Sequence, residues 1–172
     1  MCVLALLFFI LILVLVISAL WTISRGAPWA PTPMNMVHKM LTMAEVGPDD
    51  IVYDLGCGDG RMIVTAARRY GAQAVGIELD PIRYLWCQML ITVLGLRSCV
   101  RIVYGDFFTQ DLSSANVITC YLLRRTNKKL QGKFKQELQP DTRVVSNYFT
   151  FPKLNLVDQD DEAKLYLYNL KS

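Results

Sequence analysis

Three carboxylates and three glycines are spaced in the chain as a ligand site would need them. Asp54 and Asp59 stand beside a short turn, and Glu78 follows Asp54 by 24 positions. The turn has a glycine at every second position: Gly56, Gly58 and Gly60. A backbone without Cβ atoms can approach a ligand closely, and carboxylates accept hydrogen bonds from ammonium and hydroxyl groups. The pattern predicts a pocket for a small ligand that carries positive charge and a diol.

The glycine spacing argues against a dinucleotide. A phosphate-binding turn of that kind has the spacing G-x-G-x-x-G, whereas a single residue separates each glycine here. Asp54 and Asp59 would also repel a pyrophosphate. The same carboxylates suit an ammonium and a sulfonium, and Glu78 suits a ribose diol. S-adenosylmethionine carries all of these groups, and we expect it to be the cofactor.

The surrounding pattern is typical of a parallel α/β sheet. Residues 51–55 are a short apolar stretch expected of a buried strand, residues 61–70 have helical spacing and end at Gly71, and residues 74–77 form a second strand. Further helices are predicted over residues 34–45, 81–94 and 124–138, and further strands over 100–104, 116–123, 142–146, 154–157 and 163–170, with an acidic loop at 158–162. Alternating strands and helices followed by a hairpin predict a seven-stranded α/β sandwich.

Two more positions follow predicted strands, at the edge where an open α/β sheet binds its ligand. Asp106 could accept from an adenine amino group while Phe107 covers the ring, and an ordinary Asp turn is the alternative. The end of the fourth predicted strand, from Tyr121 to Arg124, is expected to border the reaction centre.

The chain begins with 24 residues that carry no charged side chain. About 20 apolar helical residues span a bilayer core, and the segment lacks the basic start and short apolar region of a signal peptide. We therefore predict a transmembrane anchor at 1–24, a Pro-rich linker at 25–33 and the catalytic domain at 34–172. Basic residues only follow the anchor, which favours a domain in the cytosol, or in the mitochondrial matrix of a eukaryote.

The composition gives no sign of nucleic-acid binding or of a metal site. The net charge of +3 gives no nucleic-acid footprint, and five scattered cysteines with one histidine predict no metal site. The predicted helix over residues 124–138 carries a dense basic set: Arg124, Arg125, Lys128, Lys129, Lys133 and Lys135. A solvated face and attraction to an anionic membrane both remain open for this helix.

Residues 28–170 resemble a branch of the class I methyltransferases. The branch contains archaeal broad-specificity protein lysine methyltransferases and mitochondrial lysine methyltransferases of the ATP synthase c-subunit and the adenine nucleotide translocase. The motifs that carry the likeness are Pro-Thr-Pro at 31–33, Asp-Leu-Gly-Cys-Gly-Asp-Gly-Arg at 54–61, Gly-Ile-Glu-Leu-Asp-Pro at 76–81, Tyr-Leu-Leu at 121–123 and the segment 138–146. The resemblance implies a seven-stranded Rossmann-like class I methyltransferase sandwich, preceded here by one N-terminal transmembrane helix.

Site residues follow from the same resemblance. It implies cofactor contacts from ten residues: Pro31, Thr32, Asp54, Gly56, Gly58, Asp59, Gly60, Glu78, Asp106 and Phe107. Three more would line the channel of the target amine: Tyr121, Asn147 and Tyr148. Arg124 stands where the branch usually has a proline, and Trp29-Ala30 replaces a more usual aromatic-Val pair, so the chain departs from the branch near the substrate.

The expected activity is S-adenosylmethionine-dependent N-methylation of a lysine on a membrane or membrane-proximal protein. A lysine amine has an ordinary pKa of about 10.4 and must lose its proton before attack, which a desolvated aromatic channel favours. No Asn/Asp-Pro-Pro-Tyr sequence ends the fourth strand, which argues against amide or nucleic-acid base nitrogens as acceptors. Methylation of a lipid or quinone-like molecule and a non-catalytic cofactor-binding scaffold are the alternatives.

Overall fold

The computed structural model describes residues 4–6, 8–10, 12–13 and 30–171. The three short N-terminal stretches are helical. The rest of the predicted anchor at 1–24, and residues 25–29 of the predicted linker, lie outside the described residues. Within the described part of the chain, no helix has the length and apolar character that crossing a bilayer requires.

From residue 30 onwards the described chain alternates strands and helices before a C-terminal hairpin. The elements are α1 (Met34–Met43), β1 (Ile51–Leu55), α2 (Arg61–Tyr70), β2 (Gln73–Glu78), α3 (Pro81–Val93), β3 (Val100–Tyr104), β4 (Val117–Cys120), α4 (Arg124–Glu137), β5 (Arg143–Asn147), β6 (Asn155–Asp160) and β7 (Leu165–Asn169). The predicted seven-stranded α/β fold is confirmed.

The sheet has the strand order β3-β2-β1-β4-β5-β7-β6. The first five strands along the chain are parallel, while β7 runs antiparallel between β5 and β6. The order changes direction between β1 and β4, which pair in parallel. Open α/β sheets bind ligands in the crevice that forms at the carboxyl ends of the strands beside such a reversal.

The two faces of the sheet are covered unequally. Helices α1, α2 and α3 pack on one face, where Met40 and Ile63 are fully buried. The other face is covered by α4 together with loops, and its core includes Leu112, Phe134 and Phe151. Among the described residues, no helix connects β3 to β4 on this face. The connecting loop itself therefore supplies core side chains such as Leu112.

The C-terminal hairpin differs from the prediction. The sequence pattern places residues 158–160 in an acidic loop, but they belong to β6, and the turn follows at 161–164. β6 is an edge strand whose residues are almost all exposed, with a register shift between Leu156 and Asp158. The alternation that indicates a half-buried strand is therefore absent. Charged residues suit such an edge because they oppose pairing with other chains, and Lys39 donates to Asp160 at 3.0 Å.

Arg143 joins the start of β5 to the end of α1. Its guanidinium donates to the carbonyl oxygens of Ala44, at 2.5 Å, and of Glu45, at 3.0 Å. It also pairs with the carboxylate of Asp50. The last carbonyls of a helix have no partners within the helix, so Arg143 satisfies them and fixes α1 against the sheet.

Candidate active site

Asp54 is the last-but-one residue of β1, and its side chain is almost fully buried. Thr119 lies beside it in β4, since the two residues are partners in the register of the parallel pair. The Thr119 hydroxyl donates to Asp54 Oδ1 at 2.9 Å. Thr119 was not predicted as a site residue, and only the pairing of β1 with β4 reveals it.

The glycine turn connects β1 to α2 and needs its glycines. Gly56, Gly58 and Gly60 have φ angles of 79°, 59° and 83°, in the left-handed region that most residues avoid. The Gly56 amide donates to the Ile77 carbonyl oxygen at 2.9 Å, and the Gly58 amide donates to Glu78 Oε2 at 2.8 Å. The turn is thus folded directly onto the end of β2.

Glu78 ends β2 and is only 6% exposed. Besides the bond from Gly58, its Oε1 accepts the backbone N–H of Asp80 at 2.8 Å. A carboxylate oxygen has two lone pairs, so each oxygen retains an acceptor site for a hydroxyl group. Asp54, the glycine turn and Glu78 therefore converge on one place, and we call this set the cofactor half of the site.

The electrostatics of the cofactor half favour a cationic ligand. Burial raises the pKa of Asp54 to about 7; the bond from Thr119 lowers it in part, and the nearby charges of Glu78 and Asp59 raise it further. Burial also raises the pKa of Glu78, against the backbone hydrogen bonds from Asp80 and Gly58. A positive ligand stabilises the charged forms of such groups. Buried carboxylates, positive-φ glycines and a spare acceptor pair fit the ammonium, sulfonium and ribose of S-adenosylmethionine.

Asp59 has a partner within the protein. Both of its oxygens accept from Arg61, with Nη2 to Oδ2 at 2.5 Å and Nε to Oδ1 at 2.9 Å. Burial alone would raise the pKa of Asp59, but the bonds and charge of Arg61 hold it below its ordinary value. Arg61 Nη1 also donates to the carbonyl oxygen of Thr32 at 2.7 Å, whereas Pro31 is exposed. Asp59 and Arg61 thus fix the segment of Pro31 and Thr32 to the start of α2.

Gly76 in β2 supports the turn from behind. A Cβ at this position would lie 2.7 Å from Cys57 Sγ and 2.9 Å from Ile63 Cδ1, too close for any ordinary contact. Cys57 is buried, and its hydrogen bond with Cys87 and then its burial raise the pKa of the thiol. No role at the site was predicted for Gly76, although a glycine inside an apolar strand is a signal of close approach.

Asp106 and Phe107 lie on the loop that follows β3. The Gly105 amide donates to the Glu78 carbonyl oxygen at 2.9 Å, which places this loop beside the cofactor half. Asp106 Oδ1 accepts the Phe108 amide at 2.9 Å, so its side chain closes an Asp turn, which is the alternative arrangement for this residue. Phe107 is half-buried with its ring centroid 4.9 Å from that of Phe108.

Tyr121, Asn147 and Tyr148 form what we call the acceptor half. Cys120 and Ser146 are register partners, so Tyr121 and Asn147 emerge side by side at the carboxyl edge of β4 and β5. Tyr148 is 47% exposed and has a φ of 71°. Its amide donates to the Lys164 carbonyl oxygen at 2.7 Å, and Lys164 Nζ lies 4.3 Å from its ring centroid.

Asn127 of α4 supports the turn that carries Tyr148. Its Nδ2 donates to Ser146 Oγ at 3.2 Å and to the Phe149 carbonyl oxygen at 2.8 Å. The Ser146 hydroxyl donates to the same carbonyl at 2.5 Å. Asn127 is completely buried, and its Oδ1 has no hydrogen-bond partner among the described residues. No sequence pattern indicates this network, because its members lie on different elements.

Known proteins resemble this chain over most of its length. Residues 54–158 match the family model described as the ANTKMT methyltransferase domain. A protein-lysine N-methyltransferase of Saccharolobus islandicus is 43% identical over 148 residues, which are 82% of this chain and 92% of that protein. The lysine N-methyltransferase of the ATP synthase c-subunit from Xenopus laevis is 30% identical over 73% of this chain, but this chain spans only about half, 54%, of that protein.

A solved methyltransferase structure is also similar to this chain. The crystal structure of an RNA methyltransferase from Salinibacter ruber in complex with S-adenosyl-L-homocysteine superposes with a TM-score of 0.77 at 37% identity. It covers 83% of this chain and 95% of that one. Because the family model covers more than half of the sequence and the archaeal relative aligns with most of both chains, this chain belongs to the ANTKMT methyltransferase domain family and is an S-adenosylmethionine-dependent methyltransferase.

Proposed function

We propose that this methyltransferase transfers the methyl group to the side-chain amine of a lysine in a protein. The observation that carries this proposal is that Tyr121 and Tyr148 directly follow β4 and β5 at the carboxyl edge of the sheet, the edge at which β1 and β2 end in the cofactor half. The 43% identity to a relative named protein-lysine N-methyltransferase supports it.

On the cofactor side, we assign Asp54 to the ammonium of the methionine end and Glu78 to the ribose hydroxyls. The loop of Asp106 and Phe107 would receive the adenine, and the segment of Pro31 and Thr32 would cover the cofactor. When bound, S-adenosylmethionine supplies a methyl group already activated by its sulfonium. The work left to the protein is to hold the attacking atom in line with that methyl group.

On the acceptor side, Tyr121, Asn147 and Tyr148 would receive the lysine side chain. An apolar, aromatic surrounding disfavours the charged ammonium and so helps the amine to lose its proton. The positive φ of Tyr148 supports this assignment, because a bulky residue in that conformation costs free energy, and such outliers cluster at functional sites. The bonds of Asn127 to Ser146 and Phe149 hold this turn in place.

We further propose that the enzyme is anchored by residues 1–24, with its domain in the cytosol or the mitochondrial matrix, and that it acts on a membrane or membrane-proximal protein. The support is the uncharged sequence of the first 24 residues, of which the described ones are helical. A relative named for the c-subunit of ATP synthase is consistent with an acceptor of that kind.

RNA is a second candidate acceptor, since the Salinibacter ruber structure is described as an RNA methyltransferase and is 37% identical. Against it stands the end of β4, which reads Cys-Tyr-Leu-Leu at 120–123 instead of the Asn/Asp-Pro-Pro-Tyr that amide and base nitrogens usually need. A lipid or quinone-like acceptor is favoured by the apolar N-terminal sequence and by the basic residues of α4.

One labelling experiment distinguishes the three acceptors. The full chain is incubated with methyl-labelled S-adenosylmethionine and, in parallel, with membranes or with total RNA, and the Glu78→Ala variant serves as control. We expect label in protein, released as N-methyllysine on acid hydrolysis, and much less of it with the control variant. Label that extracts into organic solvent or stays with RNA would contradict the lysine proposal.

A further inference from the structure

The outer face of α3 exposes a stripe of large apolar side chains. Its five members share one side of the helix and are 43%, 64%, 50%, 51% and 76% exposed: Ile82, Leu85, Trp86, Met89 and Val93. The last four follow Ile82 by three, four, seven and eleven residues, so at 1.5 Å per residue the five side chains form a line of about 16 Å along the helix. We call this set the α3 stripe. Contiguous exposed apolar surface of this kind marks an interaction site.

The charge around the α3 stripe suits an anionic surface. Residues 81–105 contain no aspartate or glutamate. Arg97, just past the end of α3, is exposed. Arg83 is paired with Asp80 at 3.7 Å, and Arg101, in register with Val75, lies on the other face of the sheet. The nearest acid on the N-terminal side, Asp80, is 1% exposed because it caps the helix, accepting from the amides of Ile82 and Arg83. An apolar helix face with basic residues and a tryptophan is typical of helices that lie in the interface of a bilayer.

The N-terminal sequence reaches the domain at the same edge as the α3 stripe begins. Thr32 is held by Arg61 at the start of α2, and Ile82 lies at the start of α3; both helices begin at the carboxyl edge of the sheet. The stripe is 43–76% exposed in the presence of all described residues, so none of those between 4 and 13 covers it.

The basic face of α4 is a different surface. α3 packs on one face of the sheet and α4 on the other, and Lys133 of α4 is partly neutralised by Glu137 at 2.6 Å. A flat bilayer therefore cannot contact the outer sides of both helices. A second copy of the chain is the alternative occupant of the α3 stripe.

We propose that the α3 stripe docks the catalytic domain on an anionic lipid bilayer, with Trp86 at the level of the headgroups. This rests on the proposed membrane location and adds an orientation to it: the face of the sheet that carries α3 is turned towards the membrane surface. Acceptor lysines close to that surface are then within reach, and those far from it are not.

The test uses the full chain with Trp21→Phe and Trp29→Phe, which leaves Trp86 as the remaining tryptophan of three. The protein is bound to vesicles of phosphatidylcholine and phosphatidylserine, with and without bromine on the acyl chains. We expect the brominated lipid to remove about half of the Trp86 emission, as for an indole seated at the interface.

Paired substitutions locate the contact. Leu85→Glu with Met89→Glu should abolish the quenching, because two charges replace apolar groups in the interface. The matched control, Leu156→Glu with Val157→Glu, changes side chains that are 46% and 53% exposed on the edge strand β6 and should leave the quenching unchanged. Lys128→Gln with Lys129→Gln on α4 should also leave it unchanged.

Three outcomes overturn the docking surface. Vesicles that carry the protein without quenching Trp86 would leave the anchor standing and refute the α3 stripe. Quenching that survives the substitutions on α3 would also refute the α3 stripe. Shielding of Trp86 from both brominated lipid and aqueous acrylamide would refute it too, because it indicates that a second copy covers the stripe. Quenching of Trp86 together with label on a non-lysine acceptor would refute the proposed function alone.

Discussion

The cofactor half and the acceptor half of the candidate site differ in how far the protein itself completes them. Asp54 and Glu78 are buried, and their oxygens already accept hydrogen bonds from Thr119, Gly58 and Asp80. In the acceptor half, Tyr148 is nearly half exposed. A preformed site suits a cofactor that is the same molecule in every turnover. An exposed site suits an acceptor protein whose own surface can cover it on binding.

The largest effect is expected for Glu78→Ala. It removes the proposed acceptors of the ribose hydroxyls and leaves the amides of Gly58 and Asp80 without their partner. Ribose hydroxyls left without an acceptor in the complex cost ~1–3 kcal/mol, so calorimetry should show cofactor affinity reduced by about one to two orders of magnitude. Glu78→Gln, which keeps an acceptor oxygen, should lose less. Unchanged affinity in Glu78→Ala would remove Glu78 from the cofactor half.

Gly76→Ala should damage the cofactor half through packing alone. The new Cβ would meet Cys57 and Ile63 at under 3 Å, and overpacking of a core costs ~1–3 kcal/mol in the free energy of unfolding. Gly132→Ala in α4 is the control, because nothing lies within 4 Å of its Cβ and alanine is the better helix former. Urea denaturation should show the first variant destabilised and the second not; equal stability would refute the close packing.

Asp54 should make both stability and cofactor binding depend on pH. Its pKa is raised from 3.8 to about 7 in the folded protein, so the native state binds more protons than the unfolded state between these values. Its contribution therefore lowers the free energy of unfolding as the pH rises from about 4 to about 7, and changes little above that. Asp54→Asn should remove this slope in denaturation curves.

Cofactor affinity should change with pH in the opposite direction to stability. A cationic ligand binds the charged form of Asp54, so affinity should rise about tenfold between pH 6 and pH 8, with proton release near pH 6. Calorimetry in two buffers of different ionisation enthalpy measures that release. Asp54→Asn should bind more weakly and without the pH dependence; a pH dependence that persists in this variant would assign it to another group.

A smaller effect is expected for Tyr121→Phe in the acceptor half. Loss of one hydroxyl hydrogen bond is worth ~0.5–1.5 kcal/mol, which lowers turnover by about twofold to tenfold while the affinity for cofactor stays the same. Parallel measurement of kcat and of the cofactor Kd separates the two. Equal losses in both would place Tyr121 in the cofactor half and erase the distinction between the halves.

Residues of the cofactor half could be predicted from the sequence, whereas the residues that support the site could not. Asp54, the glycine turn and Glu78 sit on one continuous βαβ unit, so their spacing alone predicts that they meet. Thr119, Gly76 and Asn127 matter through partners on other elements, and only the folded sheet brings those partners together. Arg61 belongs to the motif at 54–61, but the spacing of that motif does not predict its bonds to Asp59 and Thr32.

Two surface features escaped prediction for a related reason. Residues 158–160 lack alternation because β6 lies at the edge of the sheet, where neither face must be buried. The α3 stripe has the composition of a buried helix, and its sequence does not tell which apolar side faces the sheet. The structure shows that Cys87 and Ile91 form the inner side.

The position of β7 has a consequence for synthesis of the chain on the ribosome. β7 is translated after the other six described strands, yet it lies between β5 and β6 and supplies Leu165, Leu167 and Tyr168 to the cores on the two faces of the sheet. Until it emerges, the nascent polypeptide has an open hydrogen-bonding edge along β5, next to the turn of Tyr148. Such edges invite association with other strands, so a premature stop codon before residue 165 should yield an aggregating product instead of a shortened enzyme.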